Sequence, residues 1–301
     1  MPKSVQLVEV GLRDGLQNES VSLLSQQRTN LAEKLIAAGI KRIELGAFVR
    51  EDKVPQMSGS KEIVDAILDK FPKISASVLV PNEKGMSFAL ETKIKEIAVF
   101  GAVSETFSQK NINCTVDESL LRFKAVIQQA KKNKIKVRGY LSTCFGCPYE
   151  GRVSSQKVVK LATYMYKMGC YEISIGDTIG VATPAQVEKL FKKLKKKIPV
   201  RALAGHFHDT RGTALANIQA AYRVGVRIFD TSVGGLGGCP YAPGASGNVA
   251  TEDVVYMFAG DKIKTGVDLS SLIQINHEIS NLIGRPLPSK VGLAGLSKVG
   301  F

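Results

Sequence analysis

Eight short apolar or alternating runs, whose starts fall 21 to 40 residues apart, predict a TIM (β/α)8 barrel with a C-terminal helical extension. Stretches of helical spacing lie between the runs. Each run ends in Gly, Pro, Ser, Thr or Asp, as a strand feeding a loop should. A doubly wound open sheet also fits the alternation, but it gives no reason for the count to stop at eight.

In chain order, VQLVEVG (5–11) alternates into a glycine, and a helix is predicted over 25–39 with Gly39 as its stop. RIELG (42–46), SASVLVP (75–81) and EIAVFG (96–101) follow as strands rich in β-branched residues. A helix over 117–132 precedes KVRGYLST (136–143), and one over 155–169, stopped by Gly169, precedes EISIGDT (172–178). Helices over 184–197 and 213–225 alternate with RALAGHFHD (201–209) and IFDTSVGG (228–235). The remainder, 262–301, carries a helical stretch at 269–283 and a Pro/Gly-rich tail, read as a cap on a barrel of about 5–260 within one domain spanning 1–301.

Composition excludes several classes. At 44% hydrophobic and 23% charged over 301 residues, the chain has enough apolar surface to fold, which rules out disorder. No stretch approaches 18 consecutive apolar residues, and the opening MPKSVQLVEV lacks the apolar run of a signal peptide, so no membrane association is expected. Five cysteines, an odd number unevenly spread, argue against a disulfide framework and for a cytoplasmic setting. The net charge of +14 gathers in KKNKIK (131–136) and KKLKKKIP (192–199), late in predicted helices, where cations complement the helix dipole and keep a face solvated. A phosphate-bearing ligand is the second reading of that charge. No nucleic-acid partner is expected, because no aromatic-interleaved RNA-binding strand or helix-turn-helix is visible. A dinucleotide cofactor is not expected either, since no G-x-G-x-x-G joins the first strand to the first helix.

In a barrel of this kind, function sits where strands end, and the notable polar residues lie there. Strand one ends in Glu9-Val-Gly-Leu-Arg13-Asp14-Gly15-Leu-Gln17-Asn18. An isolated Arg-Asp pair is ordinarily a salt-bridged turn, but Glu44 in RIELG is a carboxylate among apolar neighbours, which needs a partner, and Arg13 is in reach from a neighbouring strand. His206-Phe-His208 puts two of the chain's three histidines on one face of strand seven, the pattern of a metal site. Asp209 points to the other face and is read as a cap, and His277 as structural. Strand eight runs into a glycine-dense loop, 234–248, carrying Cys239 as an acid/base candidate and Asn248 as a neutral oxygen ligand. Asp177 and Thr178, at the end of strand six, are candidates for substrate contact. Cys144-Phe-Gly-Cys147 matches redox and zinc spacing, but no second CxxC accompanies it.

These stretches resemble the hydroxymethylglutaryl-CoA lyase family of the DRE-TIM metallolyases. The similarity lies in VEVGLRDGLQNE (8–19), FVREDKVPQM (48–57), KNINC (110–114), GCPYEG (146–151), GCYEISIGDTIGV (169–181), HFHDT (206–210) and GLGGCPYAPGASGNVATED (235–253). The resemblance implies a divalent metal, Mg²⁺ or Mn²⁺, on Asp14, His206, His208 and Asn248, although two histidines and a carboxylate also describe a non-haem iron site. It implies cleavage of (S)-3-hydroxy-3-methylglutaryl-CoA to acetyl-CoA and acetoacetate, as in leucine degradation or ketone-body formation. Arg13, Cys239, Asp14, Glu44 and His206 become catalytic candidates, with Arg13, Gln17, Asp177 and Thr178 for substrate. The resemblance also implies a homodimer. Animal members carry a basic residue after RDGLQNE where this chain has Ser20, so a role for that residue does not transfer. Alternatives are a sibling lyase for a longer 3-hydroxy-3-alkylglutaryl-CoA, a related Claisen-type condensing enzyme, and an inactive anion-binding barrel.

Overall fold

The structure, a computed structural model, describes residues 4–238 and 247–296. Eight parallel strands close on themselves in chain order: β1 (Gln6–Glu9), β2 (Arg42–Ala47), β3 (Ser75–Leu79), β4 (Glu96–Ala102), β5 (Lys136–Ser142), β6 (Glu172–Asp177), β7 (Leu203–Phe207) and β8 (Ile228–Thr231). Closure is explicit in the register, where β8 pairs with β1 through Val8 opposite Asp230 and Glu9 opposite Thr231. All eight predicted runs become barrel strands, and the TIM barrel class is the observed one. No described helix is long and apolar enough to cross a membrane.

The predicted helices form at Ser25–Ala37, Val116–Lys132, Ser155–Met168, Pro184–Leu194, Ala214–Val224 and Leu269–Ile283. Local chemistry explains their ends. Thr115 caps the second of these reciprocally with Glu118, Lys131 and Lys132 occupy its last turn, and Gly225 ends Ala214–Val224 in the left-handed region. The sequence reading did not place Ser60–Lys70, Glu83–Leu90, Glu105–Ile112, Thr251–Gly260 or Lys290–Ala294. Ser60–Lys70 buries Ile63, Val64, Ile67 and Leu68, a helical stripe inside a stretch otherwise dominated by turns. Leu269–Ile283 starts beside the lower end of the barrel, where the Asp268 N–H donates to Ala38 O, and Leu287 beyond it reaches Gly234 after β8.

The barrel interior is unusually ionic, where barrels of this class ordinarily stack branched apolar side chains. Arg42 on β2 donates to both oxygens of Glu172 on β6, at 3.0 and 3.1 Å. Arg138 on β5 donates to Glu172 at 2.6 Å and to Asp230 on β8 at 2.7 Å. Tyr171 links Arg42 to Glu96 on β4. Every charged member of this column is buried, so each charge depends on its partner, and removing one side of such a pair typically costs about 3–5 kcal/mol.

Two further buried carboxyls hold the segment that follows β8. Glu9 accepts the Gly11 and Val233 N–H groups at 2.8 and 2.9 Å and the Thr251 hydroxyl at 2.7 Å. Glu252 accepts the Gly234 N–H at 2.9 Å and Asn276 Nδ2 at 3.0 Å. Burial pushes Glu9 up to about 7 and Glu252 up to about 8, against the pull of those donors. The folded chain therefore holds protons that the unfolded chain releases above the ordinary carboxyl range, so this contribution to stability is full at pH 4 and is lost as pH rises through 7 and 8. The melting temperature is expected to fall between pH 5 and pH 8.5, and Glu252→Gln to flatten that fall by about 2–4 °C or more. Identical pH profiles of melting for wild type and variant, read by circular dichroism, would refute this assignment.

Candidate active site

The first functional residues arrive through a break in regular structure. Beyond β1 the chain closes a π-helical turn, Gly11–Gly15, with the Gly15 N–H donating 3.1 Å to Val10 O. Such turns recur at functional sites because they re-aim side chains. Here the turn directs Arg13 and Asp14 to a cavity of about 380 Å³ at the C-terminal mouth of the barrel, which Gln17 and Thr178 also line.

Arg13 is held on two sides. Its Nε donates to Glu44 Oε2 and its Nη1 to Asp14 Oδ1, each at 2.6 Å, and the guanidinium stands 5.3 Å over the Tyr140 ring. Among the described residues, no hydrogen bond uses its Nη2. Burial opposes the charge on Arg13, but Glu44 and Asp14 outweigh it and raise the guanidinium above its ordinary range. Burial lifts the Glu44 carboxyl, with Arg13 pulling the other way. Burial also works against ionisation of Asp14, yet Arg13 and the two imidazoles hold it well below the usual carboxylate range.

His206 and His208 lie side by side, ring centroids 5.2 Å apart, each with Nε2 3.8 Å from Asp14 Oδ2. That separation is too long for a hydrogen bond but suits ligands sharing one ion, since bonds of about 2.0–2.2 Å place neighbouring donors roughly 3–4 Å apart. Among the described residues, these three form the group able to hold a metal, with ligand atoms within 4.8 Å of one another. Asn248 joins them: its Nδ2 donates 2.8 Å to Asp14 Oδ2, while its Oδ1 is buried without a partner among the described residues. An orphaned buried carbonyl is costly, and an amide oxygen has the chemistry of a neutral ligand to a cation. Nitrogen and oxygen donors without thiolate suit a hard or borderline divalent ion.

Asn248 reaches the site through a tight crossing of two glycines. A Cβ on Gly247 would stand 2.2 Å from the Gly237 carbonyl carbon, and one on Gly237, at φ +121°, would stand 2.9 Å from Asn248 Nδ2. No side chain fits at either position. Cys239 lies outside the described residues, between these two glycines in the chain.

Asp177 does not join the group. Both its oxygens accept backbone N–H groups, from Val181 at 3.0 Å and Ala182 at 2.9 Å, so it holds the loop after β6 instead of facing the cavity as a substrate contact. Thr178 Oγ1 accepts the Thr143 N–H at 2.8 Å while lining the cavity. Asp209 caps Ala214 at 2.9 Å, and His277 Nε2 lies 3.2 Å from Gly292 O outside the site. Cys144 and Cys147 are buried free thiols; Cys144 donates to Leu141 O at 3.0 Å and Cys147 lies 2.9 Å from Ser104 Oγ, so the CxxC spacing serves packing.

Sequence reasoning missed Tyr140 and Asp230. Tyr140 separates Arg13 from Arg138, whose guanidinium is 4.8 Å from its ring, and its hydroxyl is 3.4 Å from Glu44 Oε2. Asp230 Oδ2 lies 3.2 Å from His206 Nδ1. Burial lowers the affinity of His206 for a proton, but Asp230 and Asp14 outweigh it and hold the imidazole above its ordinary range. The available signal was period two: Arg138 and Tyr140, like His206 and His208, sit two apart on inward-facing strands.

The family model described as HMGL-like matches residues 4–279. A Pseudomonas aeruginosa protein named 3-hydroxy-3-isohexenylglutaryl-CoA/hydroxy-methylglutaryl-CoA lyase is 48% identical, over 99% of this chain and 99% of its own. Hydroxymethylglutaryl-CoA lyase of Pseudomonas mevalonii is 49% identical over 97% of each. A solved HMG-CoA lyase from Acinetobacter baumannii, in complex with coenzyme A and 3-methylmalate, superposes with a TM-score of 0.94 at 36% identity, covering 99% of this chain and 97% of that one.

Titration of metal-free protein with Mn²⁺, followed by electron paramagnetic resonance, is expected to show one site per chain. Asp14→Asn or His208→Ala should weaken it by more than the roughly 10–100-fold that loss of an outer-shell partner costs. Wild-type affinity in both variants would place the ion elsewhere.

Proposed function

This chain belongs to the HMGL-like family, and we infer that it cleaves (S)-3-hydroxy-3-methylglutaryl-CoA to acetyl-CoA and acetoacetate. The observation that carries the reading is the convergence of Arg13, Asp14, His206 and His208 on one cavity at the barrel mouth, with Glu44 behind Arg13. Asp14, His206, His208 and Asn248 are proposed as ligands of a divalent ion, Mg²⁺ or Mn²⁺. When bound, that ion supplies Lewis acidity toward the 3-hydroxyl and fixes the substrate's orientation.

The reaction removes the 3-hydroxyl proton, breaks C2–C3, and leaves the electron pair on the thioester as an enolate, which a second proton then quenches at C2. Arg13 is proposed to stabilise the enolate oxygen through the nitrogen that Glu44 and Asp14 leave unused, and Glu44 to steer it. Asp14 and His206 are proposed as the candidates for taking the hydroxyl proton, His206 only in a state where its Nε2 does not hold the ion. Gln17 and Thr178 are proposed substrate contacts, and Cys239 the donor to C2; Cys239 lies outside the described residues. Asp177 is proposed to act through the loop it holds.

A second reading, a broader acyl range, is favoured by Val49, Phe100, Ile112 and Phe123, which give the cavity an apolar wall. It is also favoured by the longer 3-substituent in the name of the Pseudomonas aeruginosa relative. We further propose a single domain, a cytoplasmic homodimer without nucleic-acid or membrane partners, and a place in leucine degradation or ketone-body formation.

Acetoacetate release from HMG-CoA by EDTA-treated protein should require added Mg²⁺ or Mn²⁺ and vanish in His208→Ala. Arg13→Gln should lower kcat by at least about 10²–10³-fold, the usual cost of losing a charge-stabilising donor. A folded protein that releases no acetoacetate with either metal, and cleaves no 3-isohexenylglutaryl homologue, would sink the lyase assignment.

A further inference from the structure

We propose that Asp230 is a positioning residue of the metal site: it fixes His206 in the tautomer and orientation that present Nε2 to the cation. The inference rests on the metal reading above and concerns a residue that touches neither the ion nor the substrate.

His206 and Asp230 are register partners across the β7–β8 pair, so their side chains share the inner face of the barrel. Asp230 is buried, and its hydrogen-bonding neighbours among the described residues are two donors and a ring nitrogen. Oδ1 accepts Arg138 Nη2 at 2.7 Å; Oδ2 accepts the Ser174 hydroxyl at 2.7 Å and lies 3.2 Å from His206 Nδ1. A carboxylate oxygen only accepts, so the hydrogen of a neutral His206 must sit on Nδ1. The lone pair then falls on Nε2, the nitrogen that faces Asp14. Neutralising Arg138 would require Oδ1 alone; the second oxygen is committed to the imidazole and to the serine that aims it.

Asp230 cannot swing away, because Arg138 is itself locked by Glu172, which Arg42 holds from the far side. His208 contrasts: its Nδ1 is buried with no partner among the described residues. The fold thus sets one of the two imidazoles from behind and leaves the other to be set by what it binds. Carboxylate support of this kind fixes ring orientation and raises ligand basicity.

The test is Asp230→Asn. The amide can keep its oxygen toward Arg138, but its NH₂ then meets His206 Nδ1, which must accept, and the hydrogen moves to Nε2. Nitrogen-15 spectra of the three histidine side chains, recorded at alkaline pH where the imidazoles are neutral and assigned with His208→Gln and His277→Gln, should show neutral His206 protonated at Nδ1 alone in metal-free wild type and at Nε2 alone in D230N. Mn²⁺ affinity should fall about 10–100-fold in D230N. It should fall a few-fold in Ser174→Ala, which leaves the Arg138 pair intact. A purely structural role for Asp230 would change melting but not the tautomer. An Nε2-protonated His206 in wild type, or wild-type Mn²⁺ affinity in folded D230N, would overturn the proposal. Should D230N fail to fold, the wild-type tautomer and the S174A affinity decide, and unchanged affinity in S174A counts against it. Wild type that binds no Mn²⁺ overturns the metal reading itself.

Discussion

Arg138 and Asp230, a guanidinium and a carboxylate buried together inside a closed barrel, set a condition that the surrounding structure must meet. Neither charge can be left bare at that depth, so Arg138 also engages Glu172, Glu172 engages Arg42, and Arg42 reaches Tyr171 and Glu96. Five of the eight strands contribute to this column, and each contributes from its inner face. A one-residue slip in any of them would turn a charge outward into the apolar layer between sheet and helices. The ionic column therefore specifies register where a purely apolar barrel would tolerate alternatives.

The same column ends at the chemistry. Its uppermost carboxylate, Asp230, borders His206, and Tyr140 stacks between Arg138 below and Arg13 above. Three guanidiniums, Arg13, Arg42 and Arg138, meet five carboxyl groups in the interior: Asp14, Glu44, Glu96, Glu172 and Asp230. The excess of acids lies beside two imidazoles and an amide oxygen without a partner, which is the environment that favours a divalent cation over a further side chain. Preorganisation follows, because Arg13 is clamped by two carboxyls and a ring before any substrate arrives.

Around the mouth, rigidity is distributed unevenly. Glu9 and Glu252 clamp Val233 and Gly234, and Gly237 packs backbone to backbone on Gly247. The described parts of the glycine-rich loop are thus anchored at both ends by contacts that admit no side chain or that take up buried backbone N–H groups. Lysines at the outer helix ends carry much of the +14 charge far from this machinery, consistent with solvated helix termini.

Local pattern is enough to specify the barrel. Period-two runs and helical stretches are local patterns, and their count and spacing leave few topologies open. It also singled out Arg13, Asp14, Glu44, His206, His208 and Asn248, because polar residues at strand ends are conspicuous against apolar strands. What it could not supply was partnership between strands far apart in the chain. Arg138 and Asp230 are 92 residues apart, and nothing local distinguishes Asp230 from the many aspartates that begin loops. The role of Asp177 was equally undetermined, since only the path of the loop at 181–182 turns its oxygens from the cavity to the backbone. Tertiary structure decided these points because a buried charge is defined by what it meets across the barrel, and strand register, not sequence proximity, determines that meeting.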